Sequence, residues 1–437
     1  MQRDMMSRLD AWKGSRRRKP LVLKGARQTG KTWLLKEFGA TRYDNVAYVD
    51  LYASERARRV FDGDFDTRRI ISALRVETGQ PIEPGGTLLI LDEVQEAPRA
   101  LTSLKYFLQD APEYHVAAAG SYLGIASHAG TSYPVGKVST LDLRPLSFLE
   151  FLDAVGEGQA ALALRRRGAQ GIDPALGGKM RLLLRDYLFV GGMPEAVDAY
   201  AQSRDYEEVR EIQEEILENY DSDFSKHAPA RILERMRMAW ASLPAQLAKE
   251  NRKFVYGAVR PGARARDFEE SIQWLCDYGV ARRVRRATAL RTPLQGYGDD
   301  GAFKLFCVDV GLLAALAHLP ASAVLDDSAL FTEFKGSLTE QYVLGELVGT
   351  GYDPVYWSAS AGRAEVDFAV EDGGAPLAIE VKAAENLQAK SLRVARERFG
   401  LERCVRTSLS GYRDEGWLVN VPLWAIGVLG QSLSPQP

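Results

Sequence analysis

The sequence predicts a multidomain α/β protein with a parallel sheet near the N-terminus, a mainly helical middle region and a second α/β unit at the C-terminus. Three observations predict this. The 437 residues exceed the size at which a single hydrophobic core keeps growing. Between residues 20 and 148, short apolar runs alternate with helical stretches, and a similar alternation returns after residue 334. A composition of 46% hydrophobic and 26% charged residues is typical of a folded chain.

The N-terminal strands are predicted from five apolar runs, which read PLVLKG, NVAYVDL, TLLILDE, YHVAAAG and VSTLDL. Their nearly continuous apolar character is typical of parallel strands covered on both faces. We therefore assign residues 1–153 to a first domain. The Ala- and Gly-rich residues 154–178 show no strand pattern and are interpreted as a linker.

Residues 179–333 begin with amphipathic helices and continue into a basic strand and a turn-rich ribbon. A helix followed by a β-ribbon suggests a winged-helix-like unit. Residues 334–430 then read as helix, three strands and helix, which predicts a separate α/β unit.

Composition also excludes several classes of protein. The 56 basic and 58 acidic residues give a net charge of −2, so any nucleic-acid site must be local. We find neither an apolar run long enough to span a bilayer nor a signal-peptide pattern, and we expect a cytoplasmic protein without membrane contact. The three scattered cysteines and four histidines predict neither a disulfide framework nor a histidine-rich metal site, so a metal would be held by oxygen atoms.

The strongest motif is a complete G-x-x-x-x-G-K-[ST] between the first strand and the first helix after it. In such a loop the backbone N–H groups cradle phosphates, Lys31 reaches the β- and γ-phosphates, and the Thr32 hydroxyl ligates Mg²⁺. The predicted nucleotide-binding residues are Gly25, Ala26, Arg27, Gln28, Thr29, Gly30, Lys31, Thr32 and Trp33.

A second motif lies at the end of the run TLLILDE. Asp92 at the carboxyl end of a buried strand is expected to hold the Mg²⁺ shell, and Glu93 to act as general base toward the attacking water.

Six motifs occur along the chain in a fixed order, namely GARQTGKT, LDEVQ, GSYL, LDLRPLSFLEFL, YLFVGGMPEA and EVDF…IEVK. With these motifs the chain resembles a large bacterial and archaeal family, in which an AAA-type P-loop ATPase module is fused to a C-terminal domain of unknown function. The resemblance implies an AAA-like core, a helical and winged-helix middle, and a restriction-endonuclease-like C-terminal fold.

The same resemblance bears on two further positions of the ATPase site. Ser121, after the run YHVAAAG, resembles the polar sensor of AAA-type ATPases. Where such proteins usually carry Gly-Arg, this chain has Gly136-Lys137, and lysine lacks the planar fork of an arginine finger. Arg144 is the nearest replacement.

The C-terminal unit carries Glu340 on a helix, Asp367 in AEVDFAV, and Glu380 and Lys382 in IEVK, a set that resembles the PD-(D/E)XK nuclease motif. The three carboxylates are predicted to converge on one Mg²⁺, with Asp367 and Glu380 as metal ligands and Lys382 positioning or deprotonating water. Two alternatives stay open, namely a degenerate nuclease fold used for binding and a charged sheet edge in solvent.

Four arginines, Arg282, Arg283, Arg285 and Arg286, follow a predicted helix in the basic strand. Either they contact DNA or RNA phosphates or they pair with the acidic helix around EEVREIQEEILENYDSD.

Two functions are compatible with these motifs. One is a Mg²⁺-dependent ATPase switch, using ATP and ADP, that is coupled to a nucleic-acid-directed nuclease-like module. The other is a regulatory or toxin-like ATPase that binds a protein partner or forms a homo-oligomer, with an inert nuclease-like fold.

Overall fold

The computed structural model describes residues 2–121, 134–249, 252–322, 329–359, 364–385 and 388–433. The chain divides into two compact units. The N-terminal unit comprises Arg3–Arg144 together with Asp277–Val280, and the C-terminal unit comprises Pro145–Cys276 and the residues from Ala281 onward.

The N-terminal unit contains a five-stranded parallel sheet with the strand order β2-β3-β4-β1-β5. This arrangement confirms the predicted parallel sheet, and each strand coincides with one of the five apolar runs. The strands are β1 (Leu21–Lys24), β2 (Asn45–Asp50), β3 (Thr87–Asp92), β4 (His115–Ala119) and β5 (Ser139–Asp142).

Helices cover both faces of this sheet. Along β3, Leu88 and Ile90 belong to one buried cluster, whereas Leu89 and Leu91 belong to another on the opposite face. The apolar runs are nearly continuous because successive side chains of a strand enter different cores. The helices are α1 (Met5–Lys13), α2 (Lys31–Arg42), α3 (Glu55–Arg59), α4 (Thr67–Thr78) and α5 (Pro98–Asp110).

The C-terminal unit begins with helices, and the segment predicted to be a linker is itself largely helical. These helices are α6 (Phe148–Ala154), α7 (Gly158–Arg167), α8 (Gly177–Val190), α9 (Pro194–Ser203), α10 (Tyr206–His227), α11 (Ala230–Ala241), α12 (Leu243–Leu247), α13 (Tyr256–Val259) and α14 (Ala265–Asp277), the last residue of which is grouped with the N-terminal unit. The short helices α15 (Val310–Leu316) and α18 (Leu429–Leu433) and the longer α16 (Ala329–Gly349) and α17 (Lys390–Phe399) follow later in the chain.

Within the described residues, the later strands form one eight-stranded mixed sheet with the order β12-β13-β11-β10-β9-β8-β6-β7. Its strands are β6 (Ala281–Ala287), β7 (Gly298–Cys307), β8 (Val355–Ser358), β9 (Glu365–Asp372), β10 (Ala375–Val381), β11 (Cys404–Ser408), β12 (Arg413–Asp414) and β13 (Leu418–Pro422).

The β6–β7 ribbon, which the sequence suggests is a wing, is part of this sheet because β6 pairs in parallel with β8. The ribbon is therefore not free-standing, and its two strands share a sheet with the strands that follow residue 334. In the part of the chain that the structure describes, no helix is long and apolar enough to cross a membrane.

Candidate functional site

The loop between β1 and α2 has the backbone conformation of a phosphate cradle. Gly25, Gln28 and Gly30 have φ values of 152°, 65° and 88°, in the range that favours glycine. A Cβ atom on Gly25 would lie 2.2 Å from the carbonyl oxygen of Leu143. This glycine of the motif is thus required by close packing as well as by its backbone angles.

Lys31 begins α2, and its side chain folds back over this loop. Its Nζ donates to the carbonyl oxygens of Ala26 at 2.7 Å and of Gly25 at 3.1 Å. Burial lowers the pKa of Lys31 to about 8, although the nearby Glu93 and Asp92 carboxylates oppose that shift. The ammonium group therefore lies against the loop in which phosphate oxygens would be bound.

Thr32 and Asp92 place two oxygen atoms beside each other at the same end of the sheet. The Thr32 hydroxyl donates to Asp92 Oδ2 at 2.6 Å, and the Tyr48 hydroxyl donates to the same oxygen at 3.0 Å. Asp92 Oδ1 accepts the backbone N–H of Glu93 at 3.0 Å. Hydroxyl and carboxylate oxygens are the ligands that Mg²⁺ takes in proteins, so this donor set fits the ion.

Glu93 follows β3 in a left-handed conformation with φ of 50°, which is uncommon for a residue other than glycine. Its Oε2 accepts a hydrogen bond from the Gln95 side chain. Backbone strain of this kind is often retained at functional sites. Ser121, two residues beyond the end of β4, is buried, whereas Trp33 on α2 is 44% exposed.

Two residues near this site, Tyr48 and Arg3, were missed by the sequence analysis. Tyr48 lies on β2, whose parallel pairing with β3 brings its hydroxyl to Asp92. The buried Arg3 guanidinium donates to the carbonyl oxygens of Thr29 and Arg144. No motif marks either position, because both depend on which segments become neighbours in the fold.

The suggested replacement for an arginine finger, Arg144, is partly buried. Its guanidinium donates to Asp142 Oδ2 at 2.9 Å. Lys137, which stands where the arginine is usual, lies on a separate turn before β5. A role for Arg144 in hydrolysis stays a prediction.

In the C-terminal unit, Glu340 lies on α16 and is almost completely buried. Its carboxylate accepts from Arg252 and lies 3.5 Å from the Nζ of Lys304, which in turn lies 2.6 Å from Glu365. Lys304 has no exposed side-chain surface. Burial alone would lower the pKa of Lys304, but the Glu340, Asp367 and Glu365 carboxylates outweigh it and raise that pKa.

Asp367 and Glu380 lie on the neighbouring antiparallel strands β9 and β10, where Ile379 pairs with Phe368 and brings the two acids opposite each other. Asp367 accepts the backbone N–H of Val381 at 2.8 Å, and Glu380 lies 2.7 Å from the Nζ of Lys382. Burial raises the pKa of Glu380, and the Asp367 charge adds to that rise. Asp367 acts in the same direction on Glu340, whose pKa burial raises to about 8.

The predicted convergence of these three carboxylates on one cation is not seen in the described residues, among which no group of three or more His, Cys, Asp and Glu is arranged to hold a metal ion. The reason is visible at Glu340, where Arg252 and Lys304 already supply positive charge. Glu340 lies within hydrogen-bond reach of Asp367, and one buried oxygen of Glu340 and one of Glu380 have no hydrogen-bond partner, so a site shared by the three carboxylates stays a prediction. Asp367 and Glu380 as a pair of metal ligands stay a prediction.

Each arginine of the β6 ribbon has an acidic partner close by. Arg282 pairs with Asp353 at 2.8 Å, Arg283 with Glu269 at 2.6 Å, Arg285 with Asp300 at 3.2 Å, and Arg286 with Asp299. The sequence analysis correctly allowed for pairing with acids but named the wrong partner, since none of these four acids lies on α10. Strand pairing with β7 and the proximity of α14 supply carboxylates that the linear sequence does not reveal.

Three families of domains match successive parts of the chain. Residues 17–152 match an AAA domain, residues 181–323 a domain of unknown function (DUF8612), and residues 335–425 another domain of unknown function (DUF4143). The N-terminal unit thus contains an AAA-type P-loop ATPase domain. A comparison with curated proteins gives no significant match.

Three solved structures with similarity to the chain are the following. The Walker-type ATPase of Pyrococcus abyssi is 15% identical with a TM-score of 0.44, and the match covers 72% of this chain and 95% of that one. The Orc1 protein of Aeropyrum pernix in complex with DNA is 15% identical with a TM-score of 0.28, covering 73% and 93%. Cdc6p from Pyrobaculum aerophilum is 13% identical with a TM-score of 0.26, covering 76% and 94%.

Proposed function

We propose that this protein is a Mg²⁺-dependent ATP-binding and ATP-hydrolysing switch. The observation that carries the proposal is the joint placement of the Lys31 ammonium in the glycine-rich loop and of Thr32 against Asp92 at 2.6 Å. The groups proposed to bind phosphate and Mg²⁺ thus adjoin at the carboxyl ends of β1 and β3. In open parallel sheets, ligands bind at this end of the strands.

Each residue has a distinct task in this proposal. Lys31 exchanges its bonds to the Gly25 and Ala26 carbonyl oxygens for bonds to phosphate, while the helix N-terminus adds its dipole. Thr32 and Asp92 would hold Mg²⁺, which supplies positive charge to the transferring phosphoryl group. Glu93 orients and deprotonates the attacking water, and Ser121 senses the γ-phosphate.

Removal of the Lys31 ammonium tests the proposal directly. Lys31→Ala should weaken ATP binding by well over tenfold, because partly desolvated charged contacts contribute about 2–5 kcal/mol. Calorimetric titration with Mg-ATP is the measurement, and Lys105→Ala on α5 of the same unit is the matched control, which should bind as the wild type does. Unchanged affinity in Lys31→Ala would refute the assignment of the loop.

For the C-terminal unit, we propose that the nuclease-like set of residues forms an inert binding platform that responds to the nucleotide state. The ion pairs of Glu340 with Arg252 and Lys304 support this reading, because two cationic side chains lie beside this carboxylate and compensate its charge. The occupant of such a platform would be a protein partner or a second copy of the chain.

A second candidate is cleavage of DNA or RNA in a restriction-endonuclease-like fold. The observation in its favour is the grouping of Asp367, Glu380 and Lys382 on β9 and at the end of β10. The test is Mg²⁺-dependent cleavage of single- and double-stranded DNA and RNA, with and without ATP, by the wild type and by the Glu380→Ala, Lys382→Ala double variant. Cleavage by the wild type alone would establish the nuclease, whereas equal absence of cleavage would favour the inert platform.

A further inference from the structure

A four-residue segment far along the chain, which consists of the last residue of α14 and the three-residue loop after it, is grouped with the N-terminal unit. Residues Asp277–Val280 belong to the N-terminal unit, although Cys276 before them and Ala281 after them belong to the C-terminal unit. The loop is short and tightly packed, with Tyr278 1% exposed and Val280 fully buried. It connects the end of α14 to the start of β6 without any intervening linker.

Gly279 brings the backbone of this loop against the phosphate-binding loop. A Cβ atom built on Gly279 would lie 3.4 Å from the backbone nitrogen of Ala26 and 3.7 Å from its Cα. Gly279 also has a φ of +82°, which side chains other than glycine rarely allow. A Cβ atom at these distances would be in ordinary van der Waals contact with Ala26, so the two backbones lie close together, and it is the backbone angle that favours glycine at this position.

The carbonyl oxygen of Ala26 accepts two side-chain hydrogen bonds within the phosphate-binding loop. The donors are the Lys31 ammonium at 2.7 Å and the Thr29 hydroxyl at 2.9 Å. When Lys31 turns to a phosphate, this carbonyl oxygen loses one of its two donors. The loop at Gly279 thus adjoins the segment whose hydrogen bonds change when a nucleotide binds.

We propose that the loop Asp277–Val280 positions the backbone of the nucleotide site. We propose further that the loop couples nucleotide binding at this site to the positions of α14 and β6. This inference rests on the proposed function, because it requires ATP to bind at Lys31. The loop supports the backbone around Ala26, and its ends continue directly into α14 and the arginine-bearing strand β6. Thermodynamic linkage makes this coupling reciprocal. If a ligand that displaces α14 or β6 weakens ATP binding by some factor, ATP must weaken the binding of that ligand by the same factor.

The matched pair Gly279→Ala and Gly262→Ala tests the inference. Gly262 has a similar φ of +78°, but a Cβ atom there would have nothing within 4 Å. Both substitutions carry a similar backbone strain, so their difference isolates the contact with Ala26. Gly279→Ala should weaken ATP binding about fivefold or more, which is typical of a coupling between sites, whereas Gly262→Ala should stay within about twofold of the wild type.

Amide hydrogen exchange of the unaltered protein provides an independent readout if Gly279→Ala does not fold. Saturating Mg-ATP should slow exchange in peptides that cover Asp277–Val280 and β6, and should leave the α17 peptides unchanged as an internal control. Equal ATP affinity of the two glycine variants, or no ATP-dependent change in the loop peptides, would overturn the inference while ATP binding itself stands. If the wild type fails to bind ATP, both the proposed function and this inference fall.

Discussion

At the scale of single residues, the nucleotide site depends on a few polar atoms at strand ends. Asp92 Oδ2 accepts from two hydroxyl groups, on Thr32 and Tyr48, and Asp92 Oδ1 accepts the N–H of Glu93. These bonds hold the Asp92 carboxylate in one orientation. Because the backbone N–H of Glu93 donates to this carboxylate, the backbone of Glu93 is also held in place. Glu93 itself is held by its left-handed backbone and by Gln95.

Replacement of Glu93 by glutamine separates ATP binding from hydrolysis. Glu93→Gln preserves the shape of the side chain and its contact with Gln95 but removes the base, and general-base catalysis contributes about 10²–10⁴-fold. The variant should bind ATP as tightly as the wild type and hydrolyse it at least about a hundredfold more slowly in a steady-state phosphate-release assay.

The matched control for this experiment is Glu96→Gln, in the same short turn. This variant should retain the wild-type turnover. Equal turnover of Glu93→Gln and the wild type would remove Glu93 from the mechanism.

Lys31 should make ATP binding depend on pH. Its pKa is lowered to about 8 by burial, so above that pH the free protein carries an increasing fraction of neutral lysine, which lacks the charge that pairs with phosphate. Bound phosphate raises the pKa again, and binding therefore takes up a proton. Affinity should be level below about pH 8 and decrease toward tenfold per pH unit above it.

Titration calorimetry between pH 7.5 and 9.5, in buffers of different ionisation enthalpy, measures both the affinity and the proton uptake. Lys31→Arg should bind ATP with little dependence on pH in this range, because the guanidinium stays charged. Proton uptake that persists in Lys31→Arg would assign the titration to another group.

At the scale of elements, the pairing of β6 with β7 changes how the four arginines of β6 are interpreted. Four arginines on one strand look like a phosphate-binding surface, but β7 places Asp299 and Asp300 beside two of them, and Glu269 on α14 reaches a third. The Arg283 guanidinium also lies 4.5 Å from the centre of the Phe303 ring. The ribbon is therefore locally compensated in charge.

Replacement of all four ribbon arginines by glutamine should affect stability more than nucleic-acid binding. Partly exposed ion pairs contribute about 0–1 kcal/mol each, so the melting temperature should fall by a few degrees. The slope of log affinity against log salt for duplex DNA should stay the same, since charges paired within the protein release few counterions from DNA. A flattened slope with an unchanged melting temperature would instead place the arginines on phosphates.

At the scale of the whole molecule, the sequence was most informative for features that are built from consecutive residues. The five apolar runs predicted β1–β5, and the loop motif placed Lys31 and Thr32 at the start of α2. A phosphate cradle is built from consecutive residues whose spacing is set by backbone geometry. Its signal is therefore complete in a stretch of eight residues.

The C-terminal region was predicted less well because its polar residues come together from distant segments. The run IEVK correctly suggested a strand, and Asp367 does lie opposite Glu380 on β9. The sequence did not indicate that Lys304, from the ribbon, and Arg252 would reach Glu340. Which cation compensates a buried carboxylate depends on the packing of α16, and no motif encodes that partner.

The sequence by itself thus determined the parallel sheet, the phosphate-binding loop and the two acids at the carboxyl end of β3, since each depends on periodicity or spacing within a few residues. The tertiary structure alone decided that the ribbon extends the C-terminal sheet, that its arginines are paired, and that Gly279 adjoins Ala26. These features depend on contacts between residues separated by up to some 250 positions. Only the folded chain specifies such contacts, because their energies arise from burial and charge pairing that no local pattern contains.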